Sequence, residues 1–134
     1  MASPASTKPV LGYWKMRGLA SQIRYQMVYC GVDYEEHQYE QGDAPGYDRS
    51  CWLTVKDTLG LTFPNLPYYI DGDLKLSDAN AIMKYLAAKY DPKLLGKDPA
   101  HVAKVEMVAF QVHELKQACT MPCYSTGDRG AITQ

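Results

Sequence analysis

The fold is decided by the stretch from residue 66 to residue 92, LPYYIDGDLKLSDANAIMKYLAAKYDP. Within it, two short apolar runs at 66–70 and 74–76 flank the dipeptide Asp71-Gly72. Asp-Gly between apolar runs is a strong signal for a tight hairpin turn, because glycine adopts the positive φ that such turns require. The stretch therefore begins with two predicted antiparallel strands.

A helix is predicted directly after this hairpin. Ser77 or Asp78 can serve as its N-cap, and Asp91-Pro92 is typical of a helix end. Between them one apolar stripe recurs at helical spacing and ends in a lysine, whose aliphatic stem can cover apolar surface. The stripe consists of Ile82, Tyr85, Leu86 and Lys89. We expect it to pack against the sheet.

The residues before this stretch predict a strand followed by a helix. Residues 9–14, PVLGYW, form an apolar run that ends in the polar turn 15–18. A helix is predicted over 20–30, and Gly31 stands where the residue after a helix C-cap belongs. The apolar face of this helix consists of Ile23, Met27 and Cys30.

The middle of the chain predicts an edge strand, a loop and a short helix. Residues 34–39, YEEHQY, are aromatic at both ends and charged between, which favours a solvent-facing edge strand. Residues 41–50 carry glycine, proline and acidic residues and are typical of a long loop. Residues 51–60 predict a short helix closed by Gly60.

Together these elements predict an α/β fold with the order βαβ(α)ββα over residues 9–90, which is the thioredoxin-like order. In that order Pro67, just before the third strand, lies at the ligand-binding edge, where a cis Leu66-Pro67 bond is plausible. An ordinary trans proline at the start of a strand is the alternative, because only roughly 5–6% of X-Pro bonds are cis.

One long helix is predicted after a linker at 91–98, from about Pro99 to Met121. Its apolar stripe consists of Val102, Val105, Val108, Val112, Leu115 and Cys119. Because monomers rarely leave such stripes exposed, we expect a second copy of the chain to cover it. Packing on the chain's own thioredoxin-like domain and a frayed, aggregation-prone helix are the alternatives. Residues 99–134 are thus expected to begin an all-helical domain. Residues 1–8 are expected to be a flexible leader, and the tail from about residue 125 irregular.

Composition excludes several classes of protein. Fourteen Lys and Arg against fifteen Asp and Glu give a formal net charge of −1, without a basic block that could neutralise phosphates, so nucleic acid is a poor candidate partner. No apolar run approaches the roughly 18 residues of a membrane span, and the first residues lack a signal-peptide core. The expected compartment is the cytoplasm, where the four cysteines would remain thiols.

Five short motifs in the first half of the chain form an informative set. They are Tyr13-Trp14, MRGL at 16–19, GDAP at 42–45, YDRSCW at 47–52 and FPNLPY at 63–68. Together they resemble cytosolic glutathione S-transferases, the mu class most closely. The resemblance runs from about residue 9 to about residue 124, whereas chains of that family are longer. It implies a C-terminally shortened homodimeric transferase that uses glutathione as co-substrate and needs no metal.

The resemblance also implies a role for individual residues. Tyr13 would be catalytic, donating its hydroxyl to the sulfur of glutathione; by itself, one of eleven tyrosines at a strand end would be interpreted as packing. Trp52, Lys56 and Arg49 would bind the glycine carboxylate, the alternatives being core for the tryptophan and solvated surface for the cations. The remaining implied glutathione contacts are Asn65, Leu66 and Pro67 at the edge, with Trp14 and Leu19 lining the cleft.

The γ-glutamyl end departs from the family pattern. The family has Gln-Ser at the start of the helix after the hairpin, whereas this chain has Asp78-Ala79. The N–H groups there can still bind a carboxylate, but Asp78 repels a ligand anion and attracts a ligand ammonium. Asp78 is equally a good helix cap.

Two residues of the long helix complete the implied site. Glu114 would reach the γ-glutamyl ammonium in the partner subunit, and Tyr124 would face the electrophile. A metal site is the competing interpretation of this helix, because Cys119 and Cys123 stand four residues apart, which is ligand spacing on a helix, and His113 precedes them. No second pair of ligands supports it.

The function expected from the sequence is conjugation of glutathione to electrophilic small molecules, as in detoxification. Two alternatives stay open. The chain could be a non-catalytic binding protein with a glutathione transferase-like domain, or an inactive fragment of a longer enzyme.

Overall fold

The computed structural model describes residues 8–125. The chain divides into two compact units, one ending at Pro92 and the other beginning at Lys93. The first unit contains, in order, β1 Val10–Trp14, α1 Ala20–Tyr29, β2 Glu35–Tyr39, α2 Ser50–Leu53, β3 Tyr68–Asp71, β4 Leu74–Ser77 and α3 Ala79–Tyr90. Short 3₁₀ helices follow α2 at Lys56–Thr58 and α3 at Pro92–Leu95. This order confirms the predicted thioredoxin-like fold.

The strands of the first unit form one mixed sheet in the order β2-β1-β3-β4. β1 pairs in parallel with β2 and antiparallel with β3, and β3 pairs antiparallel with β4. A parallel pair needs a long crossover connection, which α1 supplies. β2 lies at the edge of the sheet, as its charged sequence predicts.

The first unit has two apolar clusters. In the first cluster α1 and α3 pack against the sheet, and its buried residues are Leu11, Ile23, Met27, Tyr69, Ala79, Ile82 and Leu86. The second cluster is rich in aromatic residues, and its buried members are Tyr13, Ala20, Trp52, Leu61, Leu66 and Tyr68. Of the predicted stripe of α3, Ile82 and Leu86 are fully buried. The predicted site residues Tyr13, Trp52 and Leu66 belong to the second cluster.

The hairpin turn lies one residue later than predicted. β3 includes Asp71, which pairs with Leu74, so the two loop residues are Gly72 and Asp73. Gly72 has a φ of +61°, which the first loop residue of the favoured hairpin turns requires. β3 also begins at Tyr68, two residues later than predicted.

The shift places the Asp71 carboxylate where three donors converge. Its Oδ2 accepts the hydroxyl protons of Tyr69 at 3.2 Å and Tyr85 at 3.1 Å, and it pairs with the Lys89 ammonium. Burial by itself would raise the pKa of Asp71, but the hydrogen bonds from Lys89, Tyr85 and Tyr69 outweigh it and lower the pKa. The carboxylate therefore ties the end of β3 to the last turns of α3.

The helix predicted over 51–60 is interrupted. α2 ends at Leu53, and a separate 3₁₀ helix covers Lys56–Thr58. The β-branched pair Thr54 and Val55 separates the two, and such residues weaken a helix that has no partner to stabilise it. The segment still ends at Gly60 as predicted.

The second unit contains the long helix α4, Pro99–Ser125. The predicted end at Met121 is wrong, because the helix continues through Pro122. Proline removes one intrahelical hydrogen bond at that point without ending the helix. Within residues 8–125, no helix combines the length and the apolar character needed to cross a membrane.

The apolar surface of α4 is wider than the predicted stripe. Val108, Val112 and Leu115 of the stripe are 58%, 60% and 66% exposed. Met107 and Phe110 are equally exposed but lie outside the stripe, because residues one or two positions apart on a helix face different directions. A helix that is apolar on more than one side is typical of one that protein surrounds.

Candidate functional site

Tyr13 lies near the end of β1 with its hydroxyl beneath the loop that leads to α1. The side chain is 6% exposed, and its oxygen accepts a hydrogen bond from the backbone N–H of Leu19 at 3.1 Å. Gly18 has a φ of +41°, and a Cβ on it would come within 2.4 Å of the Tyr13 oxygen. The loop can pass this close to the hydroxyl only with glycine at that position.

The direction of this hydrogen bond determines what the hydroxyl can do. The Leu19 N–H occupies one lone pair of the Tyr13 oxygen, and no group of residues 8–125 accepts the hydroxyl proton, which is therefore available for donation. A donor held in this way can stabilise an anion such as a thiolate without first breaking a bond. The site is thus suited to hold a negatively charged sulfur beside the Tyr13 oxygen.

An open depression of about 310 Å³ lies beside this loop. Its aromatic and apolar lining residues are Trp14, Met16, Tyr39 and Tyr47. Lys15 and Glu40, which form an exposed ion pair, also line it. Of the two residues predicted to line the cleft, Trp14 borders this depression, whereas Leu19 lies on the exposed loop above Tyr13.

Trp52 is held in the second, aromatic cluster together with Tyr13. Its ring stacks on that of Tyr68 at 6.0 Å and meets Tyr39 edge-on at 5.3 Å. The Tyr68 hydroxyl contacts the Tyr39 hydroxyl at 3.0 Å and Nδ1 of His37 at 3.2 Å, and burial raises the pKa of Tyr68. Gly12 leaves room for the Tyr68 ring, since a Cβ on residue 12 would come within 2.1 Å of that ring. Trp52 therefore has the core position that the sequence left open as an alternative.

The two predicted cations lie at the surface on either side of Trp52 in the chain. Arg49 is exposed and precedes α2, and its carbonyl oxygen accepts the backbone N–H of Trp52 at 3.0 Å. Lys56 begins the 3₁₀ helix with its ammonium 4.0 Å from the Asp57 carboxylate. Both remain accessible to an anion, and both are equally compatible with solvated surface charge.

The predicted edge beside β3 has one of its donors occupied. The Leu66 backbone N–H donates to the side-chain oxygen of Asn65 at 2.9 Å. The Leu66-Pro67 bond is cis, and so is the Ala44-Pro45 bond of the long loop. A ligand that used the Leu66 N–H would have to displace the Asn65 side chain.

The start of α3 has two of its donors occupied by a side chain in the same way. Of the two predicted caps, Asp78 takes the position, and its Oδ1 accepts the backbone N–H groups of Asn80 at 2.9 Å and Ala81 at 3.0 Å. Asp78 also has a φ of +81°, a region in which a residue with a Cβ is strained. Ala79 is buried, 5% exposed.

The predicted site residues of α4 belong to the second unit. Glu114 is exposed and accepts a hydrogen bond from Gln111 at 2.9 Å. The side chain of Tyr124 and the tail after residue 125 lie outside the described residues. Nε2 of His113 contacts the Gln117 side chain at 2.9 Å, and all four cysteines are free thiols. Within residues 8–125, no three His, Cys, Asp or Glu side chains converge as metal ligands.

Sequence reasoning missed one residue of this region, Arg24 of α1. Its guanidinium donates to the carbonyl oxygens of Met16 and Arg17 in the loop above Tyr13, and to the Glu36 carboxylate. No local sequence motif predicts these contacts, because they join a helix to a loop and to an edge strand. Only the helical register, which turns Arg24 away from the apolar face of Ile23 and Met27, distinguishes it.

The fold and this site define a thioredoxin-like domain with a candidate thiolate site at the end of its first strand. Residues 9–88 match the family described as "Glutathione S-transferase, N-terminal domain". The chain belongs to the glutathione S-transferase family.

Individual relatives agree with this assignment. The chain is 48% identical over 116 residues to glutathione S-transferase Mu 1 of Bos taurus, covering 87% of this chain and 52% of the relative. It is 49% identical over 119 residues to a glutathione S-transferase of Tyrophagus putrescentiae, covering 89% and 53%. Among solved structures, the glutathione S-transferase Blo t 8 superposes with a TM-score of 0.71 at 35% identity, covering 81% of this chain and 47% of the other. The chain thus spans about half the length of the curated relatives that it matches.

Proposed function

We propose that this chain binds glutathione and transfers its thiolate to an electrophilic carbon of a small molecule, forming a thioether. The observation that carries the proposal is the Tyr13 hydroxyl, which accepts from Leu19 at 3.1 Å and keeps its own proton for donation. The family membership of residues 9–88 and the Mu-class relatives support the same reaction.

The chemical need is to keep the glutathione thiol ionised at neutral pH. A free thiol has a pKa of about 8.5, so only a few per cent is thiolate near pH 7. A hydroxyl proton donated to the sulfur stabilises the anion, and each unit of pKa depression corresponds to about 1.36 kcal/mol. Tyr13 is proposed to supply that donor.

The remaining contacts of the tripeptide are assigned by the family resemblance. We propose that Arg49, Lys56 and the indole N–H of Trp52 bind the glycine carboxylate, and that Asn65 and Leu66 bind the cysteinyl part beside Pro67. The accessibility of both cations supports this assignment, because the exposed Arg49 and the half-buried Lys56 can each exchange hydration for a carboxylate.

The test replaces Tyr13 by phenylalanine and follows conjugation of an aryl electrophile across pH. At about pH 6.5 the rate should fall by about 10- to 100-fold, whereas at about pH 9 the deficit should shrink because the thiol ionises unaided. Tyr25→Phe removes a hydroxyl from an α1 side chain that is 72% exposed, and should leave the rate unchanged. Equal rates for wild type and Tyr13→Phe at every pH would contradict the proposed role.

One observation favours the second candidate, a non-catalytic binding protein. Two of the N–H groups in the turn proposed for the γ-glutamyl carboxylate, those of Asn80 and Ala81, already bond to Asp78 at 2.9 and 3.0 Å. A carboxylate at this position also repels a ligand anion. Retention on immobilised glutathione together with turnover supports the transferase, whereas failure of both supports the second candidate.

We further propose that the chain acts in the cytoplasm as a homodimer, with Glu114 of one subunit near the glutathione of the other. The exposed apolar residues of α4 support association, because monomers rarely leave apolar patches beyond a few hundred Å² in water. Tyr124 is assigned to the electrophile by resemblance alone.

A further inference from the structure

Arg24 of α1 joins three parts of the first unit. Its Nε donates to Oε1 of Glu36 on β2 at 2.7 Å, and Nη2 approaches the same oxygen at 2.5 Å. Its Nη1 donates to the carbonyl oxygens of Met16 at 2.9 Å and Arg17 at 3.3 Å. Both partners of the ion pair are only 20% exposed, so they are screened less than a surface pair. The guanidinium thus fixes the loop between β1 and α1 to the edge of the sheet.

This loop also holds the Tyr13 hydroxyl. Two residues after the Arg17 carbonyl, the Leu19 N–H donates to the Tyr13 oxygen at 3.1 Å. Gly18 lies between them with no room for a side chain over that oxygen. A shift of the carbonyls at 16 and 17 would therefore move the one N–H that orients the hydroxyl.

We infer that Arg24 is a positioning residue for the Tyr13 hydroxyl, acting through residues 16–19 of the loop. The inference rests on the proposed function, in which Tyr13 stabilises the thiolate. Arg24 itself faces the loop carbonyls and Glu36, and it touches no reacting atom in this arrangement.

The chemistry of the contact favours arginine over lysine. A guanidinium presents its donors in a rigid planar fork, so Nε and Nη2 can bind a carboxylate while Nη1 binds carbonyls in a second direction. A lysine ammonium at the same position could bind Glu36 or the loop, but it lacks the fork that joins them. Arg24→Lys should therefore keep the charge and lose most of the positioning.

The first test needs neither ligand nor turnover. Hydrogen exchange of the Leu19 amide is measured by NMR in the full chain for the wild type, Arg24→Met, Arg24→Lys and Tyr13→Phe. The Leu19 amide should exchange at least about 10-fold faster in all three variants, because each weakens the bond between Leu19 and Tyr13. Amides of α3 should keep their wild-type rates in all three variants, which shows that the fold is intact. Arg17→Met removes an exposed guanidinium from the same loop but leaves the backbone carbonyl. In this control variant the Leu19 amide should exchange at the wild-type rate.

The second test measures conjugation across pH with the same variants. Since a misplaced catalytic group can reduce a rate by up to about 100-fold, Arg24→Met should lower kcat by about 10-fold at pH 6.5 and leave the KM for glutathione within about twofold. The deficit should shrink at about pH 9, as for Tyr13→Phe, and Arg24→Lys should fall between Arg24→Met and the wild type.

Three results would overturn the inference. They are an unchanged Leu19 exchange rate in folded Arg24→Met, faster exchange spread evenly over all of the first unit, and a loss of activity that is the same at every pH. If Arg24→Met does not fold, Arg24→Lys and Glu36→Gln decide by the same Leu19 readout. A wild-type chain without turnover contradicts the proposed function alone, because the exchange test still decides whether Arg24 positions Tyr13.

Discussion

Asp78 affects the stability of the fold in two opposing ways, since its side chain caps α3 while its backbone conformation is strained. Its carboxylate caps α3 through the N–H groups of Asn80 and Ala81, which stabilises the helix. Its backbone has a φ of +81° and a ψ of 124°, a combination that essentially only glycine adopts without strain. The two effects can be measured apart with two variants, Asp78→Ala and Asp78→Gly.

The magnitudes follow from the geometry. Asp78→Ala loses the cap and keeps the strain, so it should lower the free energy of unfolding by about 1 kcal/mol. That corresponds to a midpoint about 4 °C lower for a domain of this size. Asp78→Gly also loses the side-chain cap but releases about 1–3 kcal/mol of backbone strain, partly offset by the roughly 0.5–1 kcal/mol that glycine loses in chain entropy. We therefore expect Asp78→Gly to be more stable than Asp78→Ala and close to the wild type.

The same site determines glutathione affinity in the proposed function. Asp78→Gln combined with Ala79→Ser removes the like charge and supplies a hydroxyl donor, changes together worth about 1–3 kcal/mol. Calorimetric titration should show tighter binding by about 5- to 150-fold. An unchanged or weaker affinity would mean that the ligand avoids this turn or that Asp78 binds its ammonium.

The stability comparison has its own refuting result. A lower melting temperature for Asp78→Gly than for Asp78→Ala would refute the strain argument.

Two further predictions concern stability and association. Asp71→Asn should cost about 2 kcal/mol near pH 7, since a charged acceptor of three hydrogen bonds is lost. Because the folded pKa of Asp71 is lowered, this contribution is complete above its ordinary value of 3.8 and is lost as the pH falls further, so the deficit in urea denaturation should vanish in acid. Lys89→Met should cost less than about 1 kcal/mol because that pair is partly exposed. Light scattering should give a dimer that Val112→Glu weakens; a monomer with α4 amides fully protected from exchange would contradict the dimer.

The sequence predicted those features that depend on neighbouring residues. The cap Asp78, the end of α1 before Gly31 and the edge position of β2 all follow from local chemistry, and the structure has them. The hairpin register could not be decided in this way, because Asp71-Gly72 and Gly72-Asp73 are both good turn dipeptides. Distant contacts select the second register, in which the Asp71 carboxylate receives donors from β3 and α3.

In the candidate site, too, the sequence predicted the features that depend on neighbouring residues and not those that depend on distant contacts. The sequence placed Tyr13 near the end of its strand, because an apolar run followed by a polar turn is a local pattern. It could not reveal that Asn65 occupies the Leu66 N–H, or that Arg24 reaches loop carbonyls seven and eight residues earlier in the chain. Side-chain contacts of this kind depend on rotamers that packing selects, and no periodicity records them. The continuation of α4 through Pro122 was missed because proline is read as a helix end by default.

In the proposed function, the occupied donors also separate the binding of glutathione from the ionisation of its thiol. At the start of α3 and at Leu66, a ligand must replace hydrogen bonds that the protein already makes, so each new hydrogen bond adds little net free energy. Within residues 8–125 the Tyr13 hydroxyl accepts from Leu19 and donates to no protein group, so a thiolate there would replace no protein hydrogen bond. When binding is weaker by the same amount for the bound thiol and for the transition state, KM rises while kcat is unchanged. The arrangement therefore favours weak retention of glutathione together with effective ionisation of the molecules that do bind, and a lower affinity alone does not indicate an inactive chain.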